Sequence, residues 1–196
     1  MTENELLTEM FLKYWQWDIV PTLTNPPANS PEYFVKSLYE NLKANALARY
    51  PWRSATVYTT ITPSVPEVSS DGRYKYEAAI PDNFVLATGF WRDRQRLHPA
   101  HNEVDIVGKV ARTNLPEFTM SYINYKTDEK DLDPWVCDYI QIFIAAELSD
   151  IGGQTPERKQ FLDNLAETML IKCGNKDFEM SHHDPISNSL NQFEWC

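Results

Sequence analysis

The stretch from Asp133 to Gly153 constrains the fold of this chain most strongly. It opens with Asp133–Pro134, a pair typical of a helix start. The aspartate side chain can accept hydrogen bonds from the free backbone N–H groups of the first turn, and at the first helical position the N–H group that proline lacks would have no partner within the helix. Apolar side chains then occupy almost every side of the middle turns: Trp135, Val136, Tyr139, Ile140, Ile142, Phe143, Ile144, Ala145, Ala146 and Leu148. The run is shorter than the roughly 20 apolar residues that a membrane span needs. We therefore predict a buried central helix, ended by Gly152–Gly153.

Three further helices carry similar start signals. Thr2 and Glu5 match a capping box, while Ser30–Pro31 and Thr155–Pro156 repeat the order of a capping residue followed by proline. These signals predict helices over about 2–17, 30–50 and 155–174. Their buried stripes are predicted to be Leu6, Leu7, Met10, Phe11 and Tyr14 in the first helix; Val35, Leu38, Leu42 and Ala46 in the second; and Phe161, Leu162, Leu165, Met169 and Cys173 in the last.

Between the second and third helices the hydrophobic period changes from helical spacing to two. Strands are predicted over 55–61, 74–79, 84–91, 104–107, 110–113 and 117–125, with Gly108–Lys109 as a two-residue turn that has glycine first. The order of elements predicts an α+β fold: a helical bundle of about four helices with an inserted antiparallel β-sheet domain and an extended C-terminal tail. We assign 1–51 to N-terminal helices, 52–127 to the β insertion, 128–180 to the C-terminal helices and 181–196 to the extended arm.

The excess of acidic residues argues against some classes of function. The 196 residues include 18 basic and 28 acidic side chains, for a net charge of −10. This argues against an ordinary duplex-DNA or RNA binder, which needs a basic face, but not against a wall along which DNA passes without specific binding. The N-terminus lacks the pattern of a signal peptide, and three widely spaced cysteines have no metal-ligand spacing. We expect reduced thiols and assembly in a cytoplasm.

Motifs for catalysis are missing from the sequence. It contains no glycine-rich phosphate loop, no Gly-x-Ser-x-Gly and no paired-carboxylate motif. His182–His183 is most simply interpreted as part of a solvated tail, and Cys137 as a core cysteine. We predict no enzyme, no cofactor and no metal site.

Two segments are candidate interaction sites. If the strand that reaches Trp91 continues, Arg92, Arg94 and Arg96 share one face. This face is either an ordinary solvated edge or a docking surface for an acidic partner or for transient contact with DNA. In the C-terminal segment the apolar side chains either fold back on their own core or reach a neighbouring protein; they are Ile186, Leu190, Phe193 and Trp195.

An ordered set of segments resembles the tail tubular protein A family, the head-to-tail adaptors of short-tailed bacteriophages. The segments are ANALARYPWRSA (44–55), YKYEAAIPDNF (74–84), GKVART (108–113), YINY (122–125), DPWV (133–136) and AAEL (145–148). The resemblance extends from about residue 31 to 172, and residues 1–25 depart from it.

The resemblance implies a virion protein of the neck, assembled in the host cytoplasm as a ring of usually twelve copies. Such a ring joins the portal protein to the tail nozzle, a tail tubular protein B-like component, and lines the DNA exit channel without a membrane contact. We hypothesise that the four C-terminal apolar residues bind the portal and that Arg92, Arg94 and Arg96 dock the tail. The alternatives are another virion ring component, such as a tail terminator or head-closure protein, or a small cytosolic enzyme that uses Cys137 or His182/His183.

Overall fold

The computed structural model describes residues 1–18, 20–63, 73–98 and 103–183, with side chains up to 180. Within these residues the chain forms four helices and seven antiparallel strands, which confirms the α+β fold class with about four helices. The helices are α1 (Glu3–Lys13), α2 (Pro31–Leu47), α3 (Pro134–Glu147) and α4 (Pro156–His183). The strands are β1 (Thr56–Ile61), β2 (Tyr76–Ala79), β3 (Phe84–Arg92), β4 (Gln95–Arg96), β5 (Val104–Val107), β6 (Val110–Thr113) and β7 (Phe118–Asn124).

The chain divides into two compact units. The helical unit comprises Met1–Ser54 and Thr127–Cys196, and the β unit comprises Ala55–Lys126. Both ends of the chain thus contribute to the helical unit, and the β unit is inserted between α2 and α3.

Helix α3 is the buried centre of the helical unit, as predicted, and ten of its side chains are buried: Val136, Cys137, Tyr139, Ile140, Gln141, Ile142, Phe143, Ile144, Ala145 and Ala146. Its predicted cap is wrong in one respect, because the Asp133 side chain makes no capping hydrogen bond. The backbone N–H of Asp133 instead donates to Ser54 Oγ (3.1 Å), and its carboxylate lies 3.9 Å from the Arg53 guanidinium.

Helix α1 buries the predicted face, comprising Leu6, Leu7, Met10, Phe11 and Tyr14. It ends at Lys13 rather than near residue 17, and Gln16 beyond its end has a left-handed φ of 58°. This bend lets Trp15 donate from Nε1 to the Ala145 carbonyl oxygen of α3 (3.0 Å). The Trp15 ring lies over Gly152, where an added Cβ would approach the indole to 2.5 Å, so glycine is required there for packing.

The predicted stripe of α2 is partly wrong. Val35 and Ala46 are buried, but Leu38 is 37% exposed, and Tyr39 and Lys43 are buried in its place. The buried stripe is therefore rotated around the helix, because a buried ion pair of Lys43, described below, replaces an aliphatic contact. Helix α2 also ends at Leu47 rather than at residue 50.

Helix α4 continues to His183 instead of ending near Gly174. Of its predicted stripe, Leu162 and Cys173 are buried, but Phe161 is 50% exposed, so that part of the prediction is wrong. Gly174 allows a close approach within the helix, since its carbonyl oxygen accepts from Tyr50 Oη (3.0 Å) and an added Cβ would meet the Tyr50 ring at 3.0 Å. Residues 181–183 thus belong to a helix and not to the predicted extended arm. The predicted portal-binding residues Ile186, Leu190, Phe193 and Trp195 lie outside the described residues.

The β unit consists of two antiparallel sheets, one with strand order β1-β7-β3-β4 and one with order β2-β6-β5. They enclose a core of alternating side chains: Ile61, Ala78, Ile80, Ala111, Leu115, Phe118, Met120 and Tyr122. The β5–β6 turn at Gly108–Lys109 has a positive φ at glycine alone (62°), as predicted for a turn with glycine first.

Candidate interaction surfaces

The β3–β4 hairpin corrects the prediction that Arg92, Arg94 and Arg96 lie on one strand face. The strand does not continue, because Asp93 (φ 50°) and Arg94 (φ 68°) both take left-handed conformations and form a tight turn. A hairpin turn of type I′ has positive φ at both central residues. Arg96 pairs with Trp91, and Arg92 pairs with Gln95. Neighbouring residues of a strand point to opposite faces, so Arg96 and Arg92 lie on different faces and Arg94 is at the tip.

Arg96, Trp91 and Tyr58 form a ladder across the outer face of the four-stranded sheet. The Arg96 guanidinium lies 6.0 Å from the centre of the Trp91 ring, and the rings of Trp91 and Tyr58 are 5.5 Å apart. We call these three residues the arginine–aromatic ladder. They come from β4, β3 and β1, and the two rings meet across the central strand β7.

Small residues beneath the ladder make this arrangement possible. The Trp91 ring lies on Gly89, where an added Cβ would approach it to 2.5 Å. Gly89 and Tyr58 both pair with Ser121 of β7, which is 1% exposed. The Ser121 hydroxyl is hydrogen-bonded to that of Thr88 (2.5 Å), so the buried polar group is satisfied. The aromatic rings are thus supported by a complementary floor.

The ladder combines a fixed geometry with exposure to solvent. Tyr58 is 68% exposed, Arg96 is exposed and Trp91 is half-buried. Tryptophan, tyrosine and arginine are the residues most enriched among those that dominate binding energy at protein interfaces. This cluster could not be predicted from the sequence, because Asp93–Arg94 contains no glycine to indicate the turn that brings Arg96 beside Trp91.

A second exposed apolar surface lies on α2. Tyr33 (44% exposed), Phe34 (39%) and Leu38 (37%) are on the helix, and the rings of Tyr33 and Phe34 meet edge to face with centroids 5.8 Å apart. Phe34 and Leu38 are four residues apart and therefore share one side of the helix. We call these three residues the α2 patch. Because these apolar groups are adjacent and partly exposed, we treat the patch as a candidate protein-binding surface.

Charge is distributed unequally between the two units. The helical unit has 10 basic and 20 acidic residues and so carries the whole net charge of −10, whereas the β unit has 8 of each and is neutral. Within the β unit three arginines are concentrated in the β3–β4 hairpin. The two candidate surfaces thus lie on units with different electrostatic character.

Sequence reasoning missed a buried ionic network in the helical unit. Lys43 Nζ, whose side chain is 3% exposed, donates to Glu129 Oε1 (2.5 Å) and to the Thr127 carbonyl oxygen (2.7 Å). Tyr39 Oη donates to the same Glu129 oxygen (2.6 Å). Thr127 and Glu129 belong to the segment that enters α3, so the network fixes this segment on α2. Spacing along α2 contained a weak signal, since Tyr39 and Lys43 are four residues apart.

The network also affects the ionisation of its members. Burial raises the pKa of Glu129, but the hydrogen bonds from Lys43 and Tyr39 lower it more, so the net shift is downward. Burial and the hydrogen bond to Glu129 raise the pKa of Tyr39 well above its usual range. Glu129 is therefore ionised and Tyr39 neutral at pH 7.

Cys137, one of the residues named for the enzymatic alternative, is a buried thiol of the helical unit. Burial raises the pKa of Cys137 to about 11, and its thiol donates to the Glu129 carbonyl oxygen (3.5 Å). A thiol with such a pKa is protonated at neutral pH and is a weak nucleophile. His182 and His183 have helical backbone, and their side chains lie outside the described part. Among the residues that the structure describes, no group of three potential metal ligands is found.

A cleft of about 260 Å³ lies beside the ladder in the β unit. It is lined by Ala87, Thr88, Gly89, Phe90, Arg96, Leu97, His98, Glu103 and Val104. His98 and Glu103 flank residues 99–102, which are outside the described ranges, so we assign no ligand to the cleft.

Comparison with known proteins adds no identification: no protein-family model matches the chain, and no curated protein matches it. Over the ranges that the structure covers, no helix is both long enough and apolar enough to cross a membrane.

Proposed function

We propose that this protein is a structural virion protein that acts as a head-to-tail adaptor, with copies arranged in a ring between the portal and the tail nozzle. The observation that carries the proposal is the exposed arginine–aromatic ladder on the inserted β unit. Its composition is that of an interface hot spot, and the floor beneath it holds the rings in place before a partner arrives. A protein that exposes such a surface is suited to binding other proteins in an assembly.

The family resemblance is the second support for the proposal. The resembling segments include the end of α2, the β5–β6 turn, β7 and the start of α3, which are the elements that join or build the two units. The acidic helical unit suits a channel wall from which DNA must leave freely, because like charges bind weakly. DNA is therefore proposed to pass through the ring without specific binding.

Two docking roles follow within this proposal. The portal is proposed to bind the C-terminal residues Ile186, Leu190, Phe193 and Trp195. The tail nozzle is proposed to bind the tip of the β3–β4 hairpin, where Arg92 is exposed and Arg94 occupies the turn. Arg96 faces the ladder instead and is assigned separately below. A tail terminator or head-closure protein is the second candidate, since the same surfaces would serve it.

The experiment is an in vitro joining assay with portal-bearing heads assembled without this protein. Added protein should bind the heads and then capture tail nozzles, which is measured by sedimentation and by electron microscopy. Binding to nozzles without binding to heads would favour the tail terminator. Absence of binding to both would refute an adaptor role.

A charge-reversal pair tests the tail contact within the same assay. Arg92→Glu/Arg94→Glu should leave the fold intact, since surface changes usually alter stability by about 0.5 kcal/mol or less. It should bind heads normally but fail to capture nozzles. The matched control is Lys75→Glu/Lys109→Glu, which reverses two exposed charges elsewhere in the β unit and should join normally. Normal joining by the arginine variant would refute the tail contact.

A further inference from the structure

We propose that the arginine–aromatic ladder of one copy binds the α2 patch on the helical unit of a second copy, so that subunits associate head to tail through two different surfaces. This inference rests on the proposed function, because it concerns how adaptor subunits bind one another. The ladder consists of Tyr58, Trp91 and Arg96, and the patch of Tyr33, Phe34 and Leu38.

Charge complementarity selects the second copy as the occupant. The helical unit carries ten more acidic than basic residues, while the exposed hairpin of the β unit is rich in arginine. The helical unit is acidic overall and also exposes the apolar α2 patch, so it offers a negative field to the arginine-containing hairpin and apolar contacts to the two rings of the ladder. The chain itself supplies such a surface.

The same charges disfavour the two symmetric alternatives. Two helical units in contact would bring together two bodies that each carry −10. If two ladders were in contact, Arg96 of one copy would lie near Arg96 of the other, and the hairpins that carry Arg92 and Arg94 would be close to each other. Like charges in such an interface are unfavourable. Contact between different surfaces avoids both repulsions.

Nucleic acid is a less suitable occupant. Stacking on Trp91 and Tyr58 would be chemically possible, since bases bind to aromatic platforms. The β unit is neutral overall, however, and the whole chain is acidic, whereas single-strand binding needs a positive groove along the backbone. Protein is therefore the class of partner that these observations favour.

Contact between different surfaces has a consequence that a symmetric dimer lacks. Each subunit bound through its ladder still has a free α2 patch, so further copies add to form a closed ring or an open chain. A copy that lacks one of the two surfaces should therefore end the chain.

The test uses two variants of the full chain, each defective in one surface. Tyr58→Ala/Arg96→Ala removes the exposed members of the ladder and leaves Trp91 on Gly89, while Phe34→Ser/Leu38→Ser removes the α2 patch. Sedimentation velocity over a concentration series, at low and high salt, measures association of each variant. Each should associate at least about thirtyfold more weakly than the unaltered protein. The control Phe161→Ser/Ile171→Ser alters exposed apolar residues of α4 and should associate normally.

An equal mixture of the two defective variants gives the decisive result. The intact patch of the first and the intact ladder of the second should restore one contact, so the mixture should form 1:1 dimers and nothing larger. High salt should weaken these dimers. Single-stranded oligonucleotide is added in a parallel series, and binding that Tyr58→Ala/Arg96→Ala abolishes, without any self-association, would replace protein by nucleic acid as the occupant.

Three results would overturn the proposal. The unaltered protein stays monomeric at every concentration, or one defective variant associates normally, or the mixture stays monomeric. None of these decides the adaptor role, which the joining assay tests with heads and nozzles. Failure to bind heads by a protein that still self-associates would refute the adaptor role alone.

Discussion

Replacing Lys43 by methionine should destabilise the helical unit by removing one charge from a buried pair. The lysine side chain is 3% exposed and that of Glu129 is 11% exposed. Methionine preserves much of the apolar stem but leaves the Glu129 carboxylate buried without its cation. It also removes the donor to the Thr127 carbonyl oxygen (2.7 Å).

The expected cost follows from what remains around Glu129. Removing one partner of a buried ion pair typically costs about 3–5 kcal/mol. The Tyr39 hydroxyl still donates to the carboxylate (2.6 Å), so we expect the lower end of this range, about 3 kcal/mol. Adding Glu129→Gln removes the stranded charge, and the double variant should lose only about 1 kcal/mol, the value of the missing bond to Thr127.

The assay is urea unfolding followed by far-ultraviolet circular dichroism, which reports the helices. Lys130→Met is the matched control, because Lys130 is 66% exposed and pairs with an equally exposed Asp128. Its effect should stay within about 0.5 kcal/mol. A cost below about 1 kcal/mol for Lys43→Met, or a double variant that is no more stable than the single one, would refute this account of the network.

Further predictions concern the core, the pH dependence and the C-terminus. Ile140→Ala should cost about 2–5 kcal/mol, since Ile140 is fully buried in α3, and an unchanged melting temperature would contradict its central position. The pKa of Glu129 is lowered in the folded protein, so its contribution to stability should be complete above the ordinary glutamate pKa of about 4.3 and should be lost as pH falls through the lowered value. In an acid titration of stability, Glu129→Gln should lack this pH-dependent loss. Deleting residues 186–196 should leave the melting temperature of the isolated protein unchanged but greatly weaken its binding to portal-bearing heads, and full-strength binding would refute the portal arm.

Local signals in the sequence were sufficient to predict the starts of the helices but not all of their ends. Helices α2, α3 and α4 begin at the predicted prolines, although Asp133 makes no capping hydrogen bond in α3, and the glycine-first turn at Gly108 is also where the sequence predicts it. An apolar surface around most of α3 predicted its burial, because such a helix has no side that favours water. These features depend on interactions within a few residues of each other, and they can be inferred without knowledge of the partners.

The surfaces depended on the tertiary structure, since they are made by residues far apart in the chain. Leu38 fits an apolar stripe as well as Tyr39 does, but the buried side of α2 is the one that carries Tyr39 and Lys43, which both bind Glu129. Arg96 lies beside Trp91 because two successive residues without glycine adopt positive φ, a conformation that sequence preference alone disfavours. Tyr58 then joins Trp91 only because β1 and β3 flank the same central strand. The sequence therefore determined where the helices begin and where the Gly108 turn lies, whereas long-range pairing decided which side chains are left exposed for a partner.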